Sequence, residues 1–250
     1  MRHQSNLFVL GLLAFTLAFF RPAPGADGLP TEPILRLETG MHTGPIKRIS
    51  VDQAGDLLIT ASDDKTLRLW TLDDGNLSKT LRAPIGEGEE GRLYAAALSP
   101  DGQWIAAGGA TKAGTEGPGN YHLYLFDRVS GELRQHLFGL PNVINHLCFS
   151  RDGGYLAASL GGDGIRVWAT DGWRQVASDS EYGDASHWCD FGANGQLVTS
   201  SLDGQIRLYD GQFHLAAKRA APGGKEPFAV AFSPDGTRIA VGFADAPVVN

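Results

Sequence analysis

Residues 149–160 read FSRDGGYLAASL. With His146 and Cys148 just ahead of it, the stretch gathers imidazole, thiol, hydroxyl and carboxylate groups within a few positions. Taken alone, it resembles a nucleophilic site. It does not stand alone. VDQAGDLLITAS (51–62), LSPDGQWIAAGG (98–109), FGANGQLVTSSL (191–202) and FSPDGTRIAVGF (232–243) share its layout. Their turn glycines, Gly55, Gly102, Gly153, Gly195 and Gly236, lie 47, 51, 42 and 41 residues apart. A short alternating run stands on each side. Alternation at period two around an Asp-Gly-type turn marks an antiparallel hairpin, because Gly accepts the positive φ that the turn requires.

A third run follows in the first four units: TLRLWTL (66–72), YHLYLFD (121–127), GIRVWAT (164–170) and QIRLYDG (205–211). From turn glycine to aromatic the count is 15 (Trp70), 24 (Phe126), 15 (Trp168) and 14 (Tyr209). A weaker fourth run comes next: LSKTLR, ELRQHLF, RQVASD and HLAAKRA. Four short strands repeated every ~42 residues describe the blades of an all-β propeller. The predicted blades cover 46–82, 94–138, 144–178, 186–219 and an incomplete 227–250.

The bulk composition fits. The chain has 250 residues, 42% of them hydrophobic and 20% charged, enough for a sizeable core. Its net charge is −7, without a basic run, which argues against a nucleic-acid partner. The N-terminus reads as an export signal: Arg2 and His3 precede the apolar run Leu7 to Phe20, and small residues follow to Ala26. Those 14 apolar residues are short for a membrane span, so an uncleaved anchor is the weaker alternative. Loss of 1–26 leaves 19 basic against 28 acidic side chains. A periplasmic or secreted location is expected, with 27–33 as linker and no membrane association after cleavage.

The residues carry a family resemblance. HTGPI (42–46), SDDKTLRLW (62–70), two copies of SPDG and the endings FD and YD are similar to WD40 repeats from about residue 34 onward, of a bacterial exported kind. In that family a His in the loop leading into a blade bonds an Asp in a later turn. The Asp orients a second-strand hydroxyl and the third-strand Trp. The resemblance places His42, Thr60 (or Ser62), Asp64 and Trp70 in that network. Asp163 with Trp168 and Asp203 with Tyr209 keep parts of it, without the His. The second repeat lacks both Asp and His.

Blade number is open. Ile34 to Glu38 matches an outer strand without its blade, and 34–39 is the expected closing strand. The fifth unit runs FAVAFS, TRIAVGF and APVVN, which puts its third-strand aromatic at position 251 in the 15-residue register. The favoured expectation is a fragment of a larger ring, seven blades being common in the family; a closed five-blade ring is the alternative.

Two H-x-C pairs, His146/Cys148 and His187/Cys189, lie on neighbouring innermost strands. In a strand, i and i+2 share a face, so each pair offers N and S ligands together. The two pairs differ in parity relative to their turns, so the cysteines either meet across one blade interface or point away from each other. A disulfide and a metal site are the candidate readings; packing of two free thiols is the plainer one. Catalysis at Cys148 or Ser150 is disfavoured, because the S-x-D-G turn recurs at Ser99 and Ser233. No cofactor is implied.

Loops leading into a blade and second-to-third-strand loops emerge at one end of a propeller. The segments 83–92, 108–120 and 179–186 therefore share a rim. Glu87, Glu89, Glu90, Asp179, Glu181 and Asp184 make it acidic, and Lys112, Tyr121 and Tyr182 add contact groups. The expected function is a non-catalytic interaction scaffold for a protein or peptide of basic or polar character. A propeller region within a larger protein is the alternative, since bacterial relatives are often joined to enzymatic modules such as caspase-like peptidases. A metal-binding or enzymatic propeller is a third class.

Overall fold

The computed structural model describes residues 40–84, 86–112 and 120–249. The expected signal (1–26), linker (27–33) and closing strand (34–39), and residues 113–119 of the insertion, lie outside the described residues.

Four four-stranded antiparallel sheets and one two-stranded sheet follow in chain order. The first blade holds β1 (Ile46–Val51), β2 (Leu57–Ser62), β3 (Thr66–Thr71) and β4 (Leu77–Arg82). The second holds β5 (Arg92–Leu98), β6 (Trp104–Ala110), β7 (Tyr121–Asp127) and β8 (Leu133–Leu140). The third holds β9 (Ile144–Phe149), β10 (Tyr155–Leu160), β11 (Ile165–Ala169) and β12 (Arg174–Asp179). The fourth holds β13 (Ser186–Phe191), β14 (Leu197–Ser201), β15 (Gln205–Tyr209) and β16 (Leu215–Ala220). β17 (Pro227–Phe232) and β18 (Ile239–Phe243) form the fifth.

The turn between the first two strands shows why the repeat exists. Ser150 Oγ donates to Asp152 Oδ1 at 2.6 Å, and the same Oγ accepts from Tyr155 N at 2.8 Å. Asp152 Oδ1 also accepts from Gly154 N, and Gly153 takes a φ of 75°. Ser99 with Asp101 and Ser233 with Asp235 repeat the arrangement. The side chains of the quoted stretch are therefore engaged in closing a hairpin.

Sheets pack face to back, and each interface has its own core. Ile59, Leu67 and Leu69 meet Leu93, Ile105 and Phe126. Leu123 and Leu125 meet Ile144, Leu156 and Trp168. Val167 meets Cys189, Phe191 and Leu197, and Val198 meets Val230 and Val241. Alternation permits this, since neighbouring residues of a middle strand serve opposite interfaces. Alanines at 95, 96, 97, 106 and 107 keep the sheets close. Gly108 serves the same end between the second and third blades: a Cβ there would sit 2.6 Å from Ile144.

Innermost strands share one further device. β1, β5, β13 and β17 each carry a register shift near their first residues, and β9 carries one opposite Leu160. A bulge there breaks the two-residue alternation and re-aims the first side chains of the strand. Those side chains converge on the axis of the arc.

Candidate functional site

The first-blade network is continuous. His42 Nδ1 lies 2.9 Å from Asp64 Oδ2, and its Nε2 lies 2.7 Å from Thr60 Oγ1. Trp70 Nε1 donates to the same Thr60 oxygen at 3.0 Å. Asp64 also accepts from Thr43 N and from the amide and hydroxyl of Thr66. His42 therefore stands between the carboxylate and the hydroxyl; Asp64 orients Thr60 only through it. Ser62 serves elsewhere, donating to Gly44 O at 3.1 Å. Burial pushes the Asp64 carboxyl up, but the bonds from Thr66, Thr43 and His42 prevail and hold it below its ordinary value.

The third and fourth blades depart from this pattern. Among the described residues no hydrogen bond joins Asp163 to Trp168. Leu140 and Ala158 occupy the registers of His42 and Thr60, so neither donor nor hydroxyl is available. Asp163 takes a left-handed φ of 60°, and its carbonyl accepts from Arg166 at 2.8 Å. Trp168 packs into the core between the second and third blades. The fourth blade is rewired. Tyr182 takes the place of the missing His, its hydroxyl 2.7 Å from Thr199 Oγ1 and 2.9 Å from the Tyr209 hydroxyl. Tyr209 donates onward to Asp179 Oδ2 at 2.6 Å. Asp203 is gripped by Arg207 at 2.6 Å, with the guanidinium 3.8 Å above the Tyr182 ring.

This corrects the expected rim. Tyr182 and Asp179 face inward as members of the fourth-blade network, because their polar atoms are needed to satisfy Tyr209 and Thr199. Tyr121 packs against the core and pairs with Lys112 across an isolated bridge. Glu89 is paired with Arg92 at 2.5 Å, and the Glu90 carboxylate folds over Gly86. Glu87, Glu181 and Asp184 remain exposed.

The cysteine pairs part company. Cys148 and Cys189 face each other across the third–fourth interface, Sγ to Sγ 2.7 Å, with His146 Nδ1 3.4 Å from Cys189 Sγ. His187 does not join them. The register shift between Ser186 and Trp188 turns it away from Cys189, and it stacks on Phe228 with ring centroids 4.5 Å apart.

Sequence reasoning missed the centre. Arg48 of β1 crosses the axis: its guanidinium donates to Asn145 O at 3.0 Å and Tyr94 O at 3.4 Å and lies 4.0 Å above the Trp188 ring. Trp188 stacks in turn on His146 at 4.1 Å. Burial lowers the Arg48 pKa to about 10. This plug separates two basins. One, of about 470 Å³, opens at the end carrying the first hairpin turns, with Val51, Cys148, Asp190 and Arg151 in its wall. The other, of about 500 Å³, opens at the rim and is lined by Lys47, Arg48, Arg92, Tyr94, Asn145, His187, Trp188 and Phe228, with Asp63. Burial lowers the His187 pKa, and Arg48 adds to the effect. A signal existed: polar and aromatic residues cluster at the start of every innermost strand, where an apolar run is otherwise expected.

The family described as WD domain, G-beta repeat matches residues 34–71, 129–168 and 184–210. Those three stretches match WD40 repeats. Protein HIR1 from Cryptococcus neoformans is 35% identical over 85 residues, covering 34% of this chain and 9% of that protein. Human WD repeat and SOCS box-containing protein 1 is 42% identical over 74 residues, 29% of this chain and 16% of that protein. Small ribosomal subunit protein RACK1y from rice is 30% identical over 129 residues, 51% of this chain and 34% of that protein. These relatives are eukaryotic, and the chain spans at most about a third of their length.

Proposed function

We propose that this WD40 chain is a non-catalytic interaction scaffold whose partner seats in the rim-side basin. The observation that carries the reading is the basin's composition. Tyr94, His187, Trp188 and Phe228 offer broad faces, while Lys47 and Arg92 offer charged donors, within a volume suited to a short peptide segment. Aromatic and Arg side chains contribute most of the energy at such interfaces. Around them, Glu87, Glu181 and Asp184 give the rim an acidic fringe that draws basic flanks of a polar partner. Export to the periplasm or beyond belongs to the same proposal, supported by the apolar run at 7–20.

Partners captured by the chain and then titrated individually test the reading. Arg92→Ala and Lys47→Ala together are expected to weaken binding at least ~10-fold by removing the basin's charged donors. Neutralising Glu87, Glu181 and Asp184 is expected to slow association and flatten its salt dependence while leaving dissociation nearly unchanged. Unchanged affinity in the basin variant would sink the assignment. A second reading, a propeller region of a longer protein whose activity lies in another domain, is favoured by the small share of each relative that the match covers.

A further inference from the structure

Cys148 and Cys189 approach from separate blades, on innermost strands that pack directly against each other. Their sulfurs, 2.7 Å apart, are closer than unbonded sulfurs rest and farther than the ~2.05 Å of a disulfide. Closing that distance needs less than an ångström. A shared metal ion would need the opposite: zinc–thiolate bonds of ~2.3 Å in tetrahedral geometry hold two sulfurs about 3.8 Å apart. The imidazole also argues against an ion. Cys189 N donates to His146 Nδ1 at 3.3 Å, so the lone pair of the third ligand is already engaged. That same nitrogen sits 3.4 Å from Cys189 Sγ. Access is one-sided. Both cysteines border the 470 Å³ basin, but Cys148 is half-buried while Cys189 is only 1% exposed.

We propose that Cys148 and Cys189 are an oxidation site, converted by a small-molecule disulfide such as oxidised glutathione into a reversible bond that staples the third blade to the fourth. Cys148 sulfur attacks the reagent's S–S bond from the basin, forming a mixed disulfide and releasing one thiol. Cys189 sulfur attacks Cys148 sulfur and expels the second thiol, which leaves carrying the Cys189 proton. The two protein thiols lose two electrons and two protons; the reagent gains them as two thiols. Without an oxidant the pair rests as thiols: burial, with Cys189 and Asp190 adding to it, raises the Cys148 pKa well above the ordinary value. The bond closes a loop of 41 residues and fixes the strands that carry the His146–Trp188 stack.

The test uses the full chain, reduced, freed of metal, desalted and treated with oxidised glutathione. The expected product has an intact mass lower by two hydrogens. A non-reduced digest should link the peptides of Cys148 and Cys189. Its Tm should rise by roughly 10 °C, reversed by dithiothreitol. Cys148→Ser, at the half-buried position, keeps the reduced Tm near the parent and abolishes the rise; Cys189→Ser abolishes it too. Two results overturn the proposal. One is a stable glutathione adduct without the internal link. The other comes from a parallel sample given zinc or copper before the reagent: one ion bound per chain that shields both thiols.

Discussion

Replacing Asp64 by Ala is expected to destabilise the protein by about 3 kcal/mol, the largest effect of any single carboxylate in the first blade. The carboxylate is 6% exposed and collects four donors: His42, Thr43 N, and the amide and hydroxyl of Thr66. Removing it leaves those donors facing a cavity that too few waters can fill. It also frees His42, and with it the hydroxyl to which Trp70 is tied. Asp64→Asn keeps one acceptor oxygen and should lose less. Urea unfolding of the three proteins under reducing conditions measures this directly. A loss below ~1 kcal/mol for Asp64→Ala would mean that the network only decorates a blade held by its apolar interface.

The second large effect is expected at Arg207. Its side chain is 1% exposed, forked onto Asp203, bonded to Glu181 O and stacked on Tyr182. Arg207→Ala should cost about 3–4 kcal/mol, roughly 10 °C in Tm. Arg207→Lys should recover little, because an ammonium cannot make two parallel bonds or lie flat on a ring. A signature in acid separates this ion pair from mere packing. Burial pushes the Asp203 carboxyl up, but the bonds from Arg207, Gly183 and Gln205 outweigh it and bring it to about 2. A carboxylate depressed in the folded state adds stability above its unfolded pKa of ~3.9 and loses it as pH falls through the folded value. Stability should therefore drop between about pH 4 and pH 2, and Arg207→Ala should make that drop shallower. Parallel acid profiles for parent and variant would refute the assignment.

The repeat was legible because period-two alternation and turn glycines are local and recur. FSRDGGYLAASL could be read as a hairpin only beside its siblings. The first-blade network was legible through the resemblance that HTGPI and SDDKTLRLW carry, which implies roles for His42, Thr60, Asp64 and Trp70. The fourth-blade network was not. Tyr182 and Arg207 replace a histidine by a different geometry, and no spacing rule predicts a phenol where an imidazole is expected. His187 was misplaced because a bulge shifts parity by one, and bulges leave little trace in sequence. The central basin was missed for another reason: its signal is spread over the starts of separate strands. Lys47, Arg92, Asn145, His187 and Phe228 come from all five blades, and only the curvature of the arc brings them together.

Arg48 has a consequence for how the molecule unfolds. Repeat proteins often behave as one-dimensional chains in which each unit senses only its neighbours, so an end unit frays independently. Here a first-blade guanidinium grips a carbonyl 97 residues away in the third blade and a ring in the fourth. That adds a term beyond nearest neighbours and raises the contact order. The first blade cannot peel away without releasing the axis of the third and fourth. Fraying and global melting are thereby joined, and hydrogen exchange in β1 should report the openings of β9 and β13 rather than its own.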